Sequence, residues 1–381
     1  MSFSNYASAL KLQMKEAERC SYPLRIDVYG SGCDHDCSYC YARAQMIVGG
    51  WNNRRNLRHP FPRVVDKNSL RELMTKIPER KPKCVSGAWR RLRPLLLAKL
   101  PIRIGAVTEC FQRYMETRTH TGLEFLKILS EAKYPAQIVT KSDLIAEDEY
   151  VEAMRANRDN LLIQFSITTP SDQISSKLEP RAPWSSRRLA ALGRLVREGF
   201  YTGVRVNPLF PIYPDGTLSK LHSKEGLCGE ALLERAKAAG SPTLPIFDMQ
   251  LVDLVLRIFN EAPESTLGKH TLLAGFVRLP FATVRWVSEA LGWSSDQLKS
   301  FFHRRIKNCY YSSPQEIRHY YEAIRDRCER HGVPFSICYD NDENYDRFRD
   351  MWANRKDCCN ALGVVPGFQK VYKDCCHQTI S

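Results

Sequence analysis

The chain has 381 residues, of which 43% are hydrophobic and 26% are charged. This composition excludes intrinsic disorder, and a chain of this length can bury a core without the disulfides of small secreted domains. Lysine and arginine exceed the acidic residues by 56 to 42, so the net charge is +14, which favours an anionic partner such as nucleic acid. Because no apolar run reaches signal-peptide or membrane-spanning length, we expect a cytoplasmic protein with no membrane partner, its 14 cysteines free or bound to metal.

Short apolar runs alternate with helical patterns along the first two-thirds of the chain, as in βα units. Strands are predicted at 24–29, 102–107, 136–140, 161–167, 203–208 and 272–279. Helices are predicted at 121–133, 147–157, 185–198 and 249–260, the third with Gly199 at its C-terminal cap. Repeated βα units build a parallel sheet or barrel whose active residues lie at the carboxyl ends of the strands.

This order of elements predicts an α/β fold, a partial (β/α)6 barrel of the TIM type with a helical C-terminal extension. Residues 1–21 form an N-terminal segment, and 22–280 form the barrel, with a basic insertion at about 51–99. Residues 281–381 form a helical and cysteine-rich extension that includes a last short strand at 334–338.

Three cysteines follow the first predicted strand in the segment GSGCDHDCSYCYAR, and they are Cys33, Cys37 and Cys40. Three thiolates within eight residues of loop can hold three irons of a 4Fe–4S cluster and leave the fourth iron open. A zinc site needs a fourth donor, and His35 is awkwardly placed for that role inside the loop. The spacing therefore predicts a 4Fe–4S cluster, with zinc or unrelated thiols as the alternatives.

The cysteine array, with Tyr39 before its third member, resembles that of the radical S-adenosylmethionine superfamily. The phrases RHPFPRVV, AVTECFQRYME, IVTKSDLI, FSITTPSDQISSKLEPRAP and VRVNPLFPIYPDG resemble its spore photoproduct lyase branch, in the same order, from about residue 22 to about residue 216. The resemblance implies that S-adenosylmethionine binds the open iron and that its cleavage yields a 5′-deoxyadenosyl radical, which abstracts a substrate hydrogen. It also implies a reductant protein such as flavodoxin or ferredoxin.

Position by position, the resemblance implies that the cofactor-binding residues are Tyr39, Tyr41, Thr108, Lys141, Ser166 and Glu179. Lys141 would neutralise the methionine carboxylate, and Glu179 would accept a ribose hydroxyl. Other roles stay open, because Thr108 and Ser166 can simply fill strand ends and Glu179 can stabilise the start of a helix.

The chain departs from the lyase pattern where the lyase needs a hydrogen-donating cysteine. That slot falls at Ala106, and the nearest thiol is Cys110, which is the predicted catalytic residue. The family's aspartate is Glu109 here, and its glutamate falls at Met115. These departures favour modification or rearrangement of a thymine-derived base in DNA, as in the hypermodification of phage DNA, by an isomerase or lyase type of reaction. The alternatives are a repair lyase, a radical enzyme acting on a small molecule, and a zinc-bearing nucleic-acid-binding module.

Two basic stretches with interleaved aromatic residues predict DNA, or a DNA-derived nucleotide, as the partner. The predicted nucleic-acid-binding residues are Trp89, Arg90, Arg91, Arg93, Arg304 and Arg305. Guanidinium groups neutralise phosphates and indoles stack on bases, which a base turned out of the duplex requires.

Late cysteines predict a second metal site at Cys358, Cys359, Cys375 and Cys376. Redox exchange or scattered thiols are the alternatives, since adjacent cysteines are poor ligands for one metal. Five isolated cysteines are predicted to fill apolar space, and they are Cys20, Cys84, Cys228, Cys309 and Cys328.

Overall fold

The computed structural model describes residues 10–12, 22, 24–30, 33–42, 63–75, 87–105, 107–338, 347–353 and 357–375. Within these ranges the backbone alone is described at 10–12, 30, 63, 87–91 and 372–375.

One large sheet organises the described chain. Its strands and those of two smaller sheets are β1 (Leu10–Leu12), β2 (Leu24–Ile26), β3 (Tyr29–Gly30), β4 (Arg63–Val64), β5 (Ile102–Ile104), β6 (Ala136–Thr140), β7 (Leu161–Ser166), β8 (Thr202–Leu209), β9 (Thr271–Phe276), β10 (Leu279–Pro280), β11 (Arg304–Ile306), β12 (Cys309–Tyr311) and β13 (Phe335–Ile337). The large sheet has the order β1-β2-β5-β6-β7-β8-β9-β13. Strand β1 is antiparallel to β2, and the other seven strands are parallel.

The α/β fold with a partial barrel is confirmed, with one difference in the number of strands. The predicted barrel has six parallel strands, whereas the sheet has seven, because β13 from the C-terminal extension pairs with β9. Within the described ranges, β1 and β13 are the edges of an open sheet. The C-terminal extension therefore contributes one parallel strand, β13, to the large sheet.

Helices alternate with the strands and cover the sheet. They are α1 (Lys67–Thr75), α2 (Gly87–Leu97), α3 (Arg113–Thr119), α4 (Thr121–Glu131), α5 (Asp148–Arg155), α6 (Asp172–Leu178), α7 (Ser185–Arg197), α8 (Thr217–Glu225), α9 (Gly229–Ala238), α10 (Gln250–Phe259), α11 (Phe281–Leu291), α12 (Ser295–Lys299), α13 (Pro314–Arg330), α14 (Ala361–Val364) and α15 (Pro366–Cys375). Helix α7 ends where predicted, because Gly199 has a φ of 73° and its N–H bonds to the Val196 carbonyl at 3.0 Å. Among the described helices, none has the length and apolar character that crossing a bilayer requires.

The core lies between the sheet and its helices. Every residue of β7 and β9 is buried, which explains their near-continuous apolar sequences, since a parallel sheet is covered on both faces. Helix α13 joins the extension to this core through two buried tyrosines. The Tyr320 hydroxyl accepts the N–H groups of Ile212 and Tyr213 at 3.0 Å, and the Tyr321 hydroxyl accepts that of Phe276 at 2.9 Å.

Candidate active site

The three cysteines of the motif lie on a loop after β2 and β3, beside the carboxyl ends of the parallel strands. Cys37 is buried, and Cys33 and Cys40 are half-buried. The loop is anchored through its backbone, because the N–H of Ser38 donates to the Leu178 carbonyl at 2.8 Å and that of Asp34 donates to the Gln112 side chain at 2.9 Å. Residues from two other βα units thus hold the loop in place.

The electrostatic surroundings of these thiols fit a soft metal centre. Burial, and to a smaller extent the charge of Cys40, raises the pKa of Cys33 to about 12. Burial, then the charges of Glu179, Cys40 and Cys33, raise the pKa of Cys37 well above its usual value. Thiolates at Cys33 and Cys37 are therefore costly unless a cation compensates them, as the irons of a cluster do.

His35, the alternative zinc ligand, is buried with its Nδ1 atom 4.0 Å from a carboxylate oxygen of Glu109. Burial, together with the charges of Arg188 and Lys141, lowers the pKa of His35 to about 3, so the imidazole is neutral at pH 7. In the described ranges, three ligand atoms within 4.8 Å of one another occur at Asp357, Cys358 and Cys359 but not among the loop cysteines and His35. A single tetrahedral zinc ion needs such close convergence, whereas a cube binds its thiolates at separate corners.

A buried carboxylate, that of Glu179, joins the cysteine loop to the barrel. Its Oε1 atom accepts hydrogen bonds from the hydroxyls of Tyr39 and Thr168, the second at 3.3 Å, and Oε2 forms an ion pair with Arg188. The ammonium group of Lys141 lies 3.8 Å from Oε1. Burial alone would raise the pKa of Glu179, but Arg188 and Lys141 outweigh it and lower the pKa to about 2.

Arg188 belongs to the candidate site, although the sequence alone does not single it out. Its side chain is fully buried and donates to the backbone carbonyls of Ser166 at 3.1 Å and Pro183 at 2.7 Å, besides pairing with Glu179. It therefore connects the end of β7 to the turn before α7 and, through Glu179 and Tyr39, to the cysteine loop. Arg188 lies in the sequence SSRRL, residues 185–189, where nothing local distinguishes it from its neighbour Arg187, which is exposed.

Tyr39, Glu179 and Arg188 together form what we call the clamp. The predicted cofactor-binding residues differ in how closely they approach it. Lys141 lies 5.8 Å from the centre of the Tyr39 ring, and the Ser166 hydroxyl forms no hydrogen bond with any described residue. The Thr108 hydroxyl donates to the Tyr29 carbonyl at 2.9 Å, and Tyr41 is 40% exposed. Lys141 and Tyr39 are thus brought together, and the Ser166 carbonyl contacts Arg188, whereas Thr108 is committed to a backbone contact.

Glu109 fixes the strand ends beneath Lys141. Its carboxylate accepts the Thr140 hydroxyl and the Lys141 N–H, each at 2.7 Å, and the Phe111 N–H at 3.0 Å. Burial raises its pKa above the usual value. This residue, where the lyase pattern has an aspartate, therefore positions the backbone from which Lys141 extends.

Comparison with solved structures identifies the fold on which this site is built. A structure of a spore photoproduct lyase mutant superposes with a TM-score of 0.53 over 87% of this chain and 79% of its own, at 17% identity. A second, with bound AdoMet and dinucleoside spore photoproduct, gives 0.52 over the same shares at 18% identity. The chain has the radical S-adenosylmethionine fold of spore photoproduct lyase. The resemblance expected from the cysteine motif is thereby confirmed.

Comparison of amino-acid sequences says less about this chain than the comparison of structures does. No protein-family model matches the chain. An uncharacterised protein of Acidianus two-tailed virus is 25% identical over 198 residues, covering 48% of this chain and 55% of that protein. An uncharacterised protein of Mycobacterium tuberculosis is 26% identical over 230 residues, which is 60% of each. The chain thus spans 55% to 60% of the length of these relatives.

Cys110, the catalytic residue predicted from the sequence, is fully buried. Its sulfur lies 3.9 Å from the carbonyl oxygens of Ile26 and Thr108, and burial raises its pKa well above the usual value. Ala106 lies outside the described residues. This environment favours packing rather than exchange with a substrate for Cys110.

The predicted nucleic-acid-binding residues lie on two elements. Trp89, Arg90 and Arg91 belong to α2, but their side chains lie outside the described residues, and Arg93 in the same helix is half-buried. Arg304 and Arg305 lie on β11, whose antiparallel partner is β12. Arg305 is exposed, with its guanidinium carbon 5.2 Å from the centre of the Tyr310 ring.

The structure shows two of the four cysteines of the predicted second metal site close to each other. Asp357, Cys358 and Cys359 have ligand atoms within 4.8 Å of one another, but the side chain of Cys375 and all of Cys376 lie outside the described residues. The second metal site therefore stays a prediction. Cys328 is buried as expected for a packing residue, whereas that expectation is wrong for Cys228, which is exposed. Cys309 is half-buried, and Cys20 and Cys84 lie outside the described residues.

A cavity of about 300 Å³ opens beside the cysteine loop. Its wall includes Asp34 and His35 of the loop, Arg113 and the 54% exposed Trp184. Arg113 is paired with Glu147 at 2.8 Å. The cavity thus offers an approach from the surface to the loop between the first two motif cysteines.

Proposed function

We propose that the chain is a radical S-adenosylmethionine enzyme that abstracts hydrogen from a thymine-derived base in DNA and so modifies or rearranges that base. Cys33, Cys37 and Cys40 would hold the 4Fe–4S cluster. The observation that carries the proposal is the clamp of Tyr39, Glu179 and Arg188, which fastens the cysteine loop to the strand ends in the fold of a lyase. A loop of unrelated thiols has no need of such a buried ionic anchor.

The cluster and S-adenosylmethionine together supply the one-electron chemistry that generates a hydrogen-abstracting radical. The chain's own residues bind and orient. Lys141, whose ammonium group lies beside Glu179, would offer its positive charge to the carboxylate of the cofactor. Ser166 would offer a hydroxyl that has no other partner among the described residues. The burial of Glu179 and Tyr39 keeps water from the inner side of the loop.

A DNA base as substrate is supported by charge and by the lyase likeness. The net charge is +14, and Arg305 with Tyr310 offers a cation beside an aromatic ring on a surface strand pair. Lyase structures of this fold hold a dinucleoside spore photoproduct. A base inside a duplex must be turned out of the stack to enter a barrel.

Modification or rearrangement is proposed over photoproduct repair because of Cys110. A repair lyase of the resembled type returns a hydrogen atom from a thiol, and the buried Cys110 faces two backbone carbonyls instead. A flavodoxin or ferredoxin is proposed as the electron donor. Its approach would use the cavity beside Asp34 and His35, which lie between the cluster cysteines.

The experiment that tests this function is nucleoside analysis. Reduced, anaerobic enzyme is incubated with thymine-containing DNA and S-adenosylmethionine, and the digested nucleosides are examined by mass spectrometry. We expect a new thymidine-derived nucleoside that is absent with the Cys37→Ala variant and present with the Cys228→Ala control. Formation of 5′-deoxyadenosine without any altered nucleoside, on natural or premodified DNA, would refute the base as substrate.

A further inference from the structure

The cavity beside the cysteine loop is bordered by the exposed side chain of Trp184, which precedes helix α7. The cavity extends from this indole to Asp34 and His35, which lie between the first two cysteines of the motif. The N–H of Arg181, on the same wall, donates to the His35 carbonyl at 3.4 Å and so joins this wall to the loop. A molecule bound at Trp184 would therefore lie against the loop that carries the cysteines.

Three arginines belong to the same cavity wall, and two of them are held by a more buried carboxylate. Arg187 forms an ion pair with Asp143, and Nη2 of Arg113 lies 3.4 Å from the other oxygen of that carboxylate. The Asp143 side chain is 12% exposed, whereas those of Arg113 and Arg187 are about half exposed. The third arginine, Arg181, is also exposed. The guanidinium groups thus face outward, and Asp143 lies behind two of them.

This mixture of residues around the cavity is typical of a protein interface. Tryptophan and arginine are enriched among the residues that contribute most to protein–protein binding. Glu147, about half exposed, pairs with Arg113 at 2.8 Å and adds an outward carboxylate to the rim of the cavity. A continuous phosphate backbone would meet that negative charge, whereas a protein surface can match both signs side by side. An exposed indole among charges of both signs therefore favours a protein over DNA at this surface.

The position of the surface indicates which kind of protein it fits. The proposed reaction needs electrons from outside the chain, and the cavity wall includes two residues of the cysteine loop, Asp34 and His35. The outward guanidinium groups and the net charge of +14 attract an acidic partner. Redox proteins meet their partners through small surfaces, below about 1,200 Å², so one indole and a few arginines are sufficient contact.

We propose that Trp184, Arg113, Arg181 and Arg187 form the docking surface for an acidic one-electron donor protein, a flavodoxin or a ferredoxin. This inference rests on the proposed function, because it names the surface that the proposed donor would use. Trp184 supplies the apolar contact, and the arginines pair with carboxylates around the redox centre of the partner. The donor is oxidised by one electron, which the cluster on the cysteine loop gains, and no proton or atom is transferred.

The test compares a protein donor with a chemical reductant that needs no docking surface. Formation of 5′-deoxyadenosine by anaerobically reconstituted protein is measured with dithionite and, in parallel, with a bacterial flavodoxin kept reduced by its NADPH-dependent reductase. We expect Trp184→Ala and Arg181→Glu to raise the flavodoxin concentration that gives half the maximal rate about tenfold. The rate with dithionite should not change, because both side chains are exposed and neither contacts the clamp.

Direct binding gives a second measurement that does not depend on turnover. The dissociation constant of oxidised flavodoxin, measured by surface plasmon resonance without S-adenosylmethionine, should rise by the same factor in both variants. Added salt should weaken flavodoxin binding more for the wild type than for Arg181→Glu, because the variant has lost one of the screened attractions.

Two substitutions at the opposite end of the sheet are matched controls. Arg158→Glu makes the same change in net charge immediately before β7, at a side chain that is 42% exposed. Leu267→Ala removes an exposed apolar side chain in the segment before β9. Because the cysteine loop lies beside the carboxyl ends of the strands, both controls should leave the flavodoxin affinity unchanged.

Several results would overturn the proposal. One is an unchanged flavodoxin affinity in a folded Trp184→Ala variant, and another is an equal loss of activity with dithionite. A third is a wild-type protein that is active with dithionite but with neither a flavodoxin nor a ferredoxin. If Arg181→Glu lowers DNA affinity as much as Arg305→Ala and retains flavodoxin binding, the surface belongs to DNA instead. Absence of 5′-deoxyadenosine with dithionite would refute the proposed function, and flavodoxin binding would still decide the docking surface.

Discussion

Replacing Glu179 by glutamine removes the charge at the centre of the clamp while keeping its shape. The Glu179 carboxylate is fully buried between Arg188 and Lys141 and accepts the Tyr39 hydroxyl. Glutamine can still accept that hydroxyl, but it cannot compensate the buried Arg188. We therefore expect the Glu179→Gln variant to be less stable at neutral pH.

The magnitude follows from the pKa of this carboxyl. Folding lowers it from 4.5 to about 2, and each pKa unit corresponds to about 1.4 kcal/mol, so the ionised form contributes about 3 kcal/mol to the free energy of unfolding at pH 7. A group whose folded pKa is lowered contributes above its unfolded pKa and loses that contribution as the pH falls through the folded value. The contribution should therefore decline from pH 4.5 downward and be about 1.5 kcal/mol at pH 3.

Urea denaturation of both proteins, followed by tryptophan fluorescence from pH 3 to pH 7, measures this difference. The Glu261→Gln variant is the matched control, because Glu261 pairs with Arg197 at the surface, where both side chains are about half exposed. That control should change stability by less than about 1 kcal/mol at every pH. A Glu179→Gln difference that is small at pH 7, or that does not shrink at acid pH, would refute the clamp as an ionic anchor.

Three further predictions concern the core, the cofactor site and the surface. Ile163→Ala, in the fully buried β7, should lower the free energy of unfolding by about 2–5 kcal/mol, whereas Leu97→Ala at a 43% exposed position should change it by less than about 0.5 kcal/mol, both by urea denaturation. Lys141→Met should weaken S-adenosylmethionine binding about tenfold in equilibrium dialysis with the reconstituted protein, and unchanged binding would remove Lys141 from the site. Arg305→Ala should lower DNA affinity and reduce the salt dependence of log K by about one ion, measured by fluorescence anisotropy at several salt concentrations; an unaltered slope would exclude a phosphate contact.

The strands of the large sheet could be predicted from the sequence because a buried strand appears as a short run of apolar residues. Strands β6 and β7 read as apolar runs since both faces are covered, and their observed bounds differ from the predicted ones by at most one residue. Gly199 predicted the end of α7 because a left-handed residue there favours glycine. The cysteine spacing likewise marked the loop, since its three cysteines lie within eight residues.

Contacts between residues that are far apart in the sequence could not be predicted from local patterns. Arg188 and Glu179 meet across a turn, and no property of RRL shows which arginine is buried. Arg205 and Cys359 are 154 positions apart, so their contact depends on how the extension folds back on the sheet. The seventh strand, Phe335–Ile337, was assigned to the extension because three residues carry too little pattern to reveal their pairing partner.

The central claim, a cluster on three cysteines that activates S-adenosylmethionine, is tested most directly by 5′-deoxyadenosine formation. Anaerobically reconstituted protein is reduced with dithionite in the presence of S-adenosylmethionine, and the nucleoside is quantified by liquid chromatography. The account predicts 5′-deoxyadenosine from the wild-type chain and the Cys228→Ala control, and none from Cys33→Ala, Cys37→Ala or Cys40→Ala. Equal formation by any of these three variants, or none by a wild-type protein that holds four irons, would contradict it.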